Sequence, residues 1–430
     1  AFACMQVKEE LKSLAKISGP IMMTNVLLYS RSAISMIFLG RQGEVELAGG
    51  SLAIGFANIT ANSFLKGLTM GMDPICCQAY GAKRWSVLSQ TFCKTLCLLL
   101  LVAIPISFLW LNMSPLLQTQ GLTAPLTVAA SFAAILHLPI NYFFASYLKL
   151  GVKGIALATG LNTINMILGL VLYLVLSKKP LKPWEGATIV SAFHDWRPLL
   201  SLALPSCVSV CLEWWCYEIM LFLCGLLSNP QTTVATMGVL IQTTGFLYVF
   251  PFSLSAALTT QIGHSLGAGQ PLRAQSIATV GLFIAFALGV SAFVFLMFVR
   301  NVWGKLFTSE AQIVDMVTTI LPILGLCEIG NWPQTAACGI LSGTARPYVG
   351  ARINLCAFYL IGLPVAVFAA FMHRYQLRGL WFGMLAAQVS CFCMMVYALI
   401  QTDWGHQSKR AEQLAQVTHD EESGLLNSDL

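Results

Sequence analysis

Four carboxylates stand where carboxylates are expensive. Of the 18 acidic residues, 14 fall in polar loops or tails, whereas Asp73, Glu213, Glu218 and Glu328 lie inside or at the edge of strongly apolar stretches. An ionised carboxylate in hydrocarbon needs a neutralising partner, a proton or a cation, so such a group is a functional candidate by default. The chemistry it supports is carriage: a proton taken up from one side, then displaced by a cationic substrate from the other. Glu213 and Glu218 share one segment, CLEWWCYE, with Trp214, Trp215 and Tyr217 between them. Five residues along a helix turn through roughly 140°, so the two carboxylates cannot share a face. One is expected to face a cavity and the other to brace a neighbouring helix. The aromatics could stack on a planar or cationic substrate, or form an interfacial belt around a snorkelling carboxylate.

Other polar residues in apolar stretches extend the candidate set. Glu328 and Thr335 are spaced to lie roughly on one helix face. Asp73, just before Pro74, is expected to fix a bend and the basic loop holding Lys83 and Arg84, with direct proton carriage as the alternative. Gln242 could hydrogen-bond a substrate or be satisfied by a neighbouring helix. Arg31 and Lys66 could each pair with a carboxylate or line water. No His/Asp cluster or nucleophile–base motif is present, so an enzyme is not expected, and no cofactor is implied. The 14 cysteines fall almost all in apolar segments without zinc-ligand spacing, which reads as buried small hydrophobes.

The elements that must position these groups follow from composition. The 430 residues are 57% hydrophobic and 10% charged, with a mean hydropathy of +0.74. A soluble globule must cover itself with polar groups and cannot hide that much apolar side chain. Lipid can, at about 20 apolar residues per span. Spans are expected near 14–39, 47–72, 87–111, 123–147, 153–176, 197–227, 232–260, 274–300, 312–341, 348–372 and 379–401, an all-α polytopic protein. The polar connection at 177–196 divides an N-terminal lobe (1–176) from a C-terminal lobe (197–402), with a polar tail at 403–430. Lys83, Arg84, Lys178, Lys179, Lys182, Arg273, Arg346, Arg352, Lys409 and Arg410 mark the cytoplasmic side, against Lys149, Lys153, Arg374 and Arg378. The net charge of +6 is spread over loops with no basic stripe, which argues against nucleic acid. The chain opens on Ala1 rather than Met, so further residues are expected before it; no cleavable signal peptide is evident. Pro139, Pro251, Pro322 and Pro364 are expected to interrupt and kink spans.

The halves repeat one another. CQAYGAKRWSVLSQ matches HSLGAGQPLRAQS, pairing Gly81 with Gly267; Trp110 pairs with Trp303. Further on, GLTAPLTV at 121–128 resembles GTARPYVG at 343–350. The second half spends 40 residues between Trp303 and Gly343, the first only 11 between Trp110 and Gly121. The shortfall is about one span with its connection, so the parent architecture is expected to have twelve spans, with the fourth absent here. Parallel repeats of six keep both basic loops on one side.

GMDPICCQAYGAKR (71–84), PSCVSVCLEWWCYEIMLFLCGLL (205–227), ALTTQIGHSLGAG (257–269), LPILGLCEIGN (321–331) and GILSGTARPYVGARINL (339–355) together resemble the multidrug and toxic compound extrusion (MATE) transporters, in their plant branch. The resemblance covers nearly the whole chain. It implies two six-helix lobes around a central cavity, a monomer in the lipid bilayer, and exchange of protons, less often sodium, for small organic molecules. It matches transport carboxylates to Glu213 and Glu218. It adds Gln78 with Gly81 and Gly267 in the matched loop segments, and Gln242 where some animal relatives are acidic. Plant relatives often carry an Asp near Thr335, so Glu328 is expected to stand in for it. Lipid-type flipping within the same superfamily, or a transport-inactive truncated form, are the alternatives. In the tail, Glu421, Leu425 and Leu426 of EESGLL have the spacing of an acidic dileucine signal, read by adaptors rather than anchoring the chain. That favours an endosomal or vacuolar membrane over the plasma membrane.

Overall fold

A backbone in hydrocarbon must satisfy its own hydrogen bonds, and the apolar stretches accordingly fold as helices. A computed structural model describes residues 2–103, 124–148, isolated positions between 154 and 172, and 196–413. The first half contributes α1 (Phe2–Gln42), α2 (Glu44–Ala57), α3 (Ser63–Met70), α4 (Met72–Gly81), α5 (Trp85–Ala103) and α6 (Ala124–Asn141). The second contributes α7 (Arg197–Cys224), α8 (Pro230–Gly267), α9 (Pro271–Trp303), α10 (Ala311–Gly343), α11 (Pro347–Asn354), α12 (Leu363–Val367) and α13 (Gln376–Ile400). Among the described residues, seven helical stretches are long and apolar enough to cross a bilayer. The segment between Trp110 and Gly121, the connection at 177–195, Lys149, Lys153 and the EESGLL signal lie outside the described residues, as does the side chain of Arg31.

The expected span at 47–72 is not one helix. α2 passes into a π-helical turn, Asn58–Asn62, and α3 is set off from α4 at Gly71. The span at 348–372 is likewise broken by π-helical turns at Leu355–Gly362 and Phe368–Met372 on either side of α12, where Pro364 sits. Pro139 is followed by another, Tyr142–Tyr147. Pro251 and Pro322, by contrast, do not interrupt their spans: α8 and α10 run through them unbroken. α8 has 38 residues, about 57 Å of helix, so it extends well past a hydrocarbon core about 30 Å thick. The tail is not free at its start. Residues 404–413 form a further helix with Ala411 buried, and Glu412 reaches the α8–α9 loop at Gly269.

The sequence repeat reappears as geometry. α4 ends with amide-to-carbonyl bonds from Ala82 to Gln78, Lys83 to Tyr80 and Arg84 to Ala79; α8 ends with Ala268 to His264, Gly269 to Leu266 and Gln270 to Ser265. Both are the same left-handed C-terminal cap, with φ of 58° at Lys83 and 71° at Gly269. The two helix ends also cross one another. A side chain at Gly81 would strike the backbone of His264, and one at Gly267 the carbonyl of Gln78. A second close crossing joins the halves: Gly67 and Gly71 of α3–α4 meet the backbone of Cys207 and Ala203 on α7. Small residues at such spacing are how membrane helices approach, since lipid offers no hydrophobic drive between them.

Candidate functional site

α7 carries the CLEWWCYE segment, and the structure sorts its side chains by helical angle. Glu213, Tyr217 and Trp214 occupy one arc. Glu213 accepts a hydrogen bond from Gln334 Nε2 of α10 at 3.4 Å, Tyr217 lies within electrostatic reach of both Glu213 and Glu328, and Trp214 approaches the hydroxyl of Tyr248 on α8. Trp215, Cys211 and Glu218 occupy the opposite arc, toward the first half. Trp215 Nε1 donates to Ser63 Oγ at 3.0 Å, and Glu218 Oε1 accepts from Asn58 Nδ2 at 2.8 Å. Glu218 Oε2 lies over Gly55, in the space that a side chain there would enter. The split expected from 140° of helix is therefore present: Glu213 faces inward in the second half, and Glu218 braces the π-helical turn after α2.

Glu213 lines a partly enclosed pocket with Tyr248 and Phe252 of α8, Thr335 of α10 and the hydroxyls of Ser206 and Ser209. Its free space, about 50 Å³ for water-sized spheres, holds roughly three to five waters and no organic substrate. Ser342, Pro347 and Gly350, at the basic end of α10 and the start of α11, also line it. The pocket thus runs from mid-helix toward the end that bears Arg346.

Glu328 is separate. It is 1% exposed, and its Oε2 accepts from Asn331 Nδ2 and Trp332 Nε1 of its own helix, both at 3.0 Å. Trp332 is itself fixed by stacking on Phe250 of α8, rings 6.0 Å apart and 9° from parallel. Thr335 lines the Glu213 pocket and donates back to the Asn331 carbonyl, while Glu328 does not reach that pocket. Asn331 bonds to both, and Glu328 also lies within electrostatic reach of Glu213. Glu328→Leu strips the acceptor from two buried donors, at about 1–3 kcal/mol each. Its expected result is a clear fall in the unfolding temperature of the purified protein, with Glu328→Gln, which keeps an acceptor, falling less.

The remaining candidates bind the halves together. Gln242 Oε1 accepts from the hydroxyls of Tyr29 at 2.6 Å and Ser32 at 3.3 Å on α1, and its carbonyl also takes Tyr29. Its side-chain oxygen is thus engaged by a neighbouring helix. Gln78 Nε2 donates to the Gly343 carbonyl at 3.0 Å. Asp73 does not hold the Lys83–Arg84 loop, which leaves the other end of α4; its electrostatic neighbour is Lys66. Lys66 in turn sits 4.5 Å over the ring of Phe252 across the lobe boundary. Sequence reasoning missed Gln334, the amide on Glu213, and Gln388, which is fully buried. A polar amide inside an apolar span was the available signal for each.

Long apolar helices, closely crossed and holding buried carboxylates, define a polytopic helical membrane protein. The MatE family pattern matches residues 20–119 and 205–368. Protein DETOXIFICATION 53 of Arabidopsis thaliana is 54% identical over 453 residues, spanning 97% of this chain and 93% of the relative. Protein DETOXIFICATION 49 of the same plant is 48% identical, over 94% of this chain and 88% of its own. Among solved structures, the eukaryotic MATE transporter AtDTX14 superposes with a TM-score of 0.88 at 28% identity, covering 95% of this chain and all of that one. The chain belongs to the MatE family and, within it, to the plant DETOXIFICATION branch: a multi-pass membrane transporter and not an enzyme.

Proposed function

We propose that the chain exports or sequesters small organic molecules by proton-coupled antiport, with Glu213 as the group that alternates between proton and cargo. The observation that carries this reading is the pocket: among the four intramembrane carboxylates, Glu213 is the one placed in hydroxyl-lined space with a single long amide contact. A group so lightly held can exchange partners, whereas Glu218 and Glu328 are engaged in bracing contacts and Asp73 faces the ammonium of Lys66. The pocket's size means that cargo enters only after the lobes part. The test is flux in proteoliposomes: an imposed proton gradient drives uptake of a probe such as tetraphenylphosphonium, and an equal sodium gradient does not. Drive by sodium alone would sink proton coupling. A lipid-type flippase would need a continuous cationic lining, and the groups around Glu213 are hydroxyls and aromatics.

Relation of the two halves supports a second element of the proposal, that one span is absent between Trp110 and Gly121. The family match ends at 119 in the first half and is much shorter there than in the second. The alignment to the 54% relative also runs longer than this chain itself. Sequencing the transcript across codons 110–121 is expected to show an exon junction with coding sequence skipped; contiguous genomic sequence through this point would overturn it. A chain so shortened is the form in which loss of transport would be found. We read the working unit as a monomer, and EESGLL as an adaptor-recognised address for an endosomal or vacuolar membrane.

A further inference from the structure

The two repeat loops that cross at the basic end enclose more than their own contact. Between them, beside α1, lies a cavity of about 420 Å³, walled by Tyr80, Lys83 and Trp85 from the first repeat, Gln261 and Arg273 from the second, and Ser13 of α1. None of these residues belongs to the Glu213 pocket. We infer that this cavity binds the headgroup of an anionic phospholipid of the phosphoinositide kind, with Lys83 as the anchor for phosphate.

Charge and unmet hydrogen bonding converge on that chemistry. The charge of Arg273 is answered by Glu10 at 3.2 Å; Lys83 makes no ion pair among the described residues and is exposed at the cavity wall. Lys83 also occupies a left-handed position, φ 58°, that the second repeat fills with Gly269. The cap itself therefore does not need a side chain at this position, and the ammonium is free to serve the cavity. Gln261 is 6% exposed; its Nε2 is taken up by Ser13 Oγ at 2.7 Å, while its Oε1 has no hydrogen-bond partner among the described residues. An acceptor left open beside a cation calls for a ligand that is both anionic and rich in hydroxyl donors. Inositol phosphates have that combination.

The surroundings favour a membrane source for the headgroup. Trp85 is 46% exposed and packs edge-on against Tyr80 at 5.3 Å, the amphipathic aromatic pair expected at headgroup depth. Lys8, Lys12 and Lys16 recur every fourth residue on the exposed surface of α1 at the same end. Such juxtamembrane lysines draw anionic lipid at about 1 kcal/mol each. Lys/Arg bias assigns this end to the cytoplasm, where those lipids are found.

The full chain in detergent, titrated with dioctanoyl phosphatidylinositol 4-phosphate and followed by tryptophan fluorescence, tests this. Saturable binding is expected, with dioctanoyl phosphatidylcholine silent and inorganic phosphate a poor competitor. Lys83→Gly installs the residue of the other repeat, so it should unfold no earlier than the parent chain yet bind at least about tenfold more weakly, the 1.4 kcal/mol of one phosphate contact. Lys12→Gln lies outside the cavity, and in detergent no charged membrane surface is present to draw the lipid to it, so its binding should fall far less than that of Lys83→Gly. Equal binding of the choline lipid, equal displacement by phosphate, unchanged binding by Lys83→Gly, or as large a loss in Lys12→Gln would each overturn the proposal.

Discussion

Glu213→Gln is expected to lower proton-driven flux in proteoliposomes by at least about tenfold, toward the level of empty vesicles, while Glu218→Gln retains most of it. The two residues sit five apart on one helix, so the pair separates chemistry from architecture. Glutamine keeps the volume of Glu213 and can still meet Gln334, whose Nε2 lies 3.4 Å from the carboxylate; what it loses is the ability to carry a proton. Glu218 holds Asn58 at the π-helical turn after α2, and an amide oxygen can accept that same bond. Glu218→Ala is therefore expected to destabilise the purified protein by about 1–3 kcal/mol through the orphaned amide, read as an earlier thermal transition. Full flux in Glu213→Gln would remove it from the coupling site.

The second large effect is expected at the lobe crossing. At Gly81 any side chain meets the His264 backbone, which cannot rotate away as a flexible side chain would. Gly81→Leu must drive α4 and α8 apart, and overpacking that shifts backbone costs about 1–3 kcal/mol and at times more. Early unfolding and poor recovery of folded protein are the expected outcome, monitored by size-exclusion and thermal transition. Gly49→Leu is the control: nothing lies within 4 Å of a side chain there, so it should behave like the parent. A Gly81→Leu protein as stable as that control would show that the crossing does not hold the halves together.

Helical class, most span positions and the opposed faces of Glu213 and Glu218 were legible because each follows from a period or a length. The angle between residues 213 and 218 depends only on helix geometry, and α7 is unbroken through both. Where the helix is not regular, the reading failed. NITAN at 58–62 has nothing in its residue types that tells a π-helical turn from an α-helical one, yet it is Asn58 at the start of that turn that meets Glu218. The seven-residue spacing of Glu328 and Thr335 was right as an angle but not as a site, because Trp332 and Asn331 claim the carboxylate within its own helix. Pro251 and Pro322 were expected to interrupt and kink spans, but α8 and α10 run through them without interruption. The glycine repeat pair marked kinship in sequence. Only the fold shows that Gly81 and Gly267 each abut the other's helix.

If Glu213 trades its proton for cargo, binding of a cation must release that proton. With tetraphenylphosphonium added to the detergent-solubilised chain in weakly buffered solution, a pH-sensitive dye should report about one proton released per cation bound, since one buried carboxylate exchanges one neutralising partner for the other. Glu213→Gln should bind without release, or fail to bind, while Glu218→Gln releases as the parent does. Binding with no proton release from the parent chain, or undiminished release from Glu213→Gln, would contradict the assignment of Glu213 as the exchanging group.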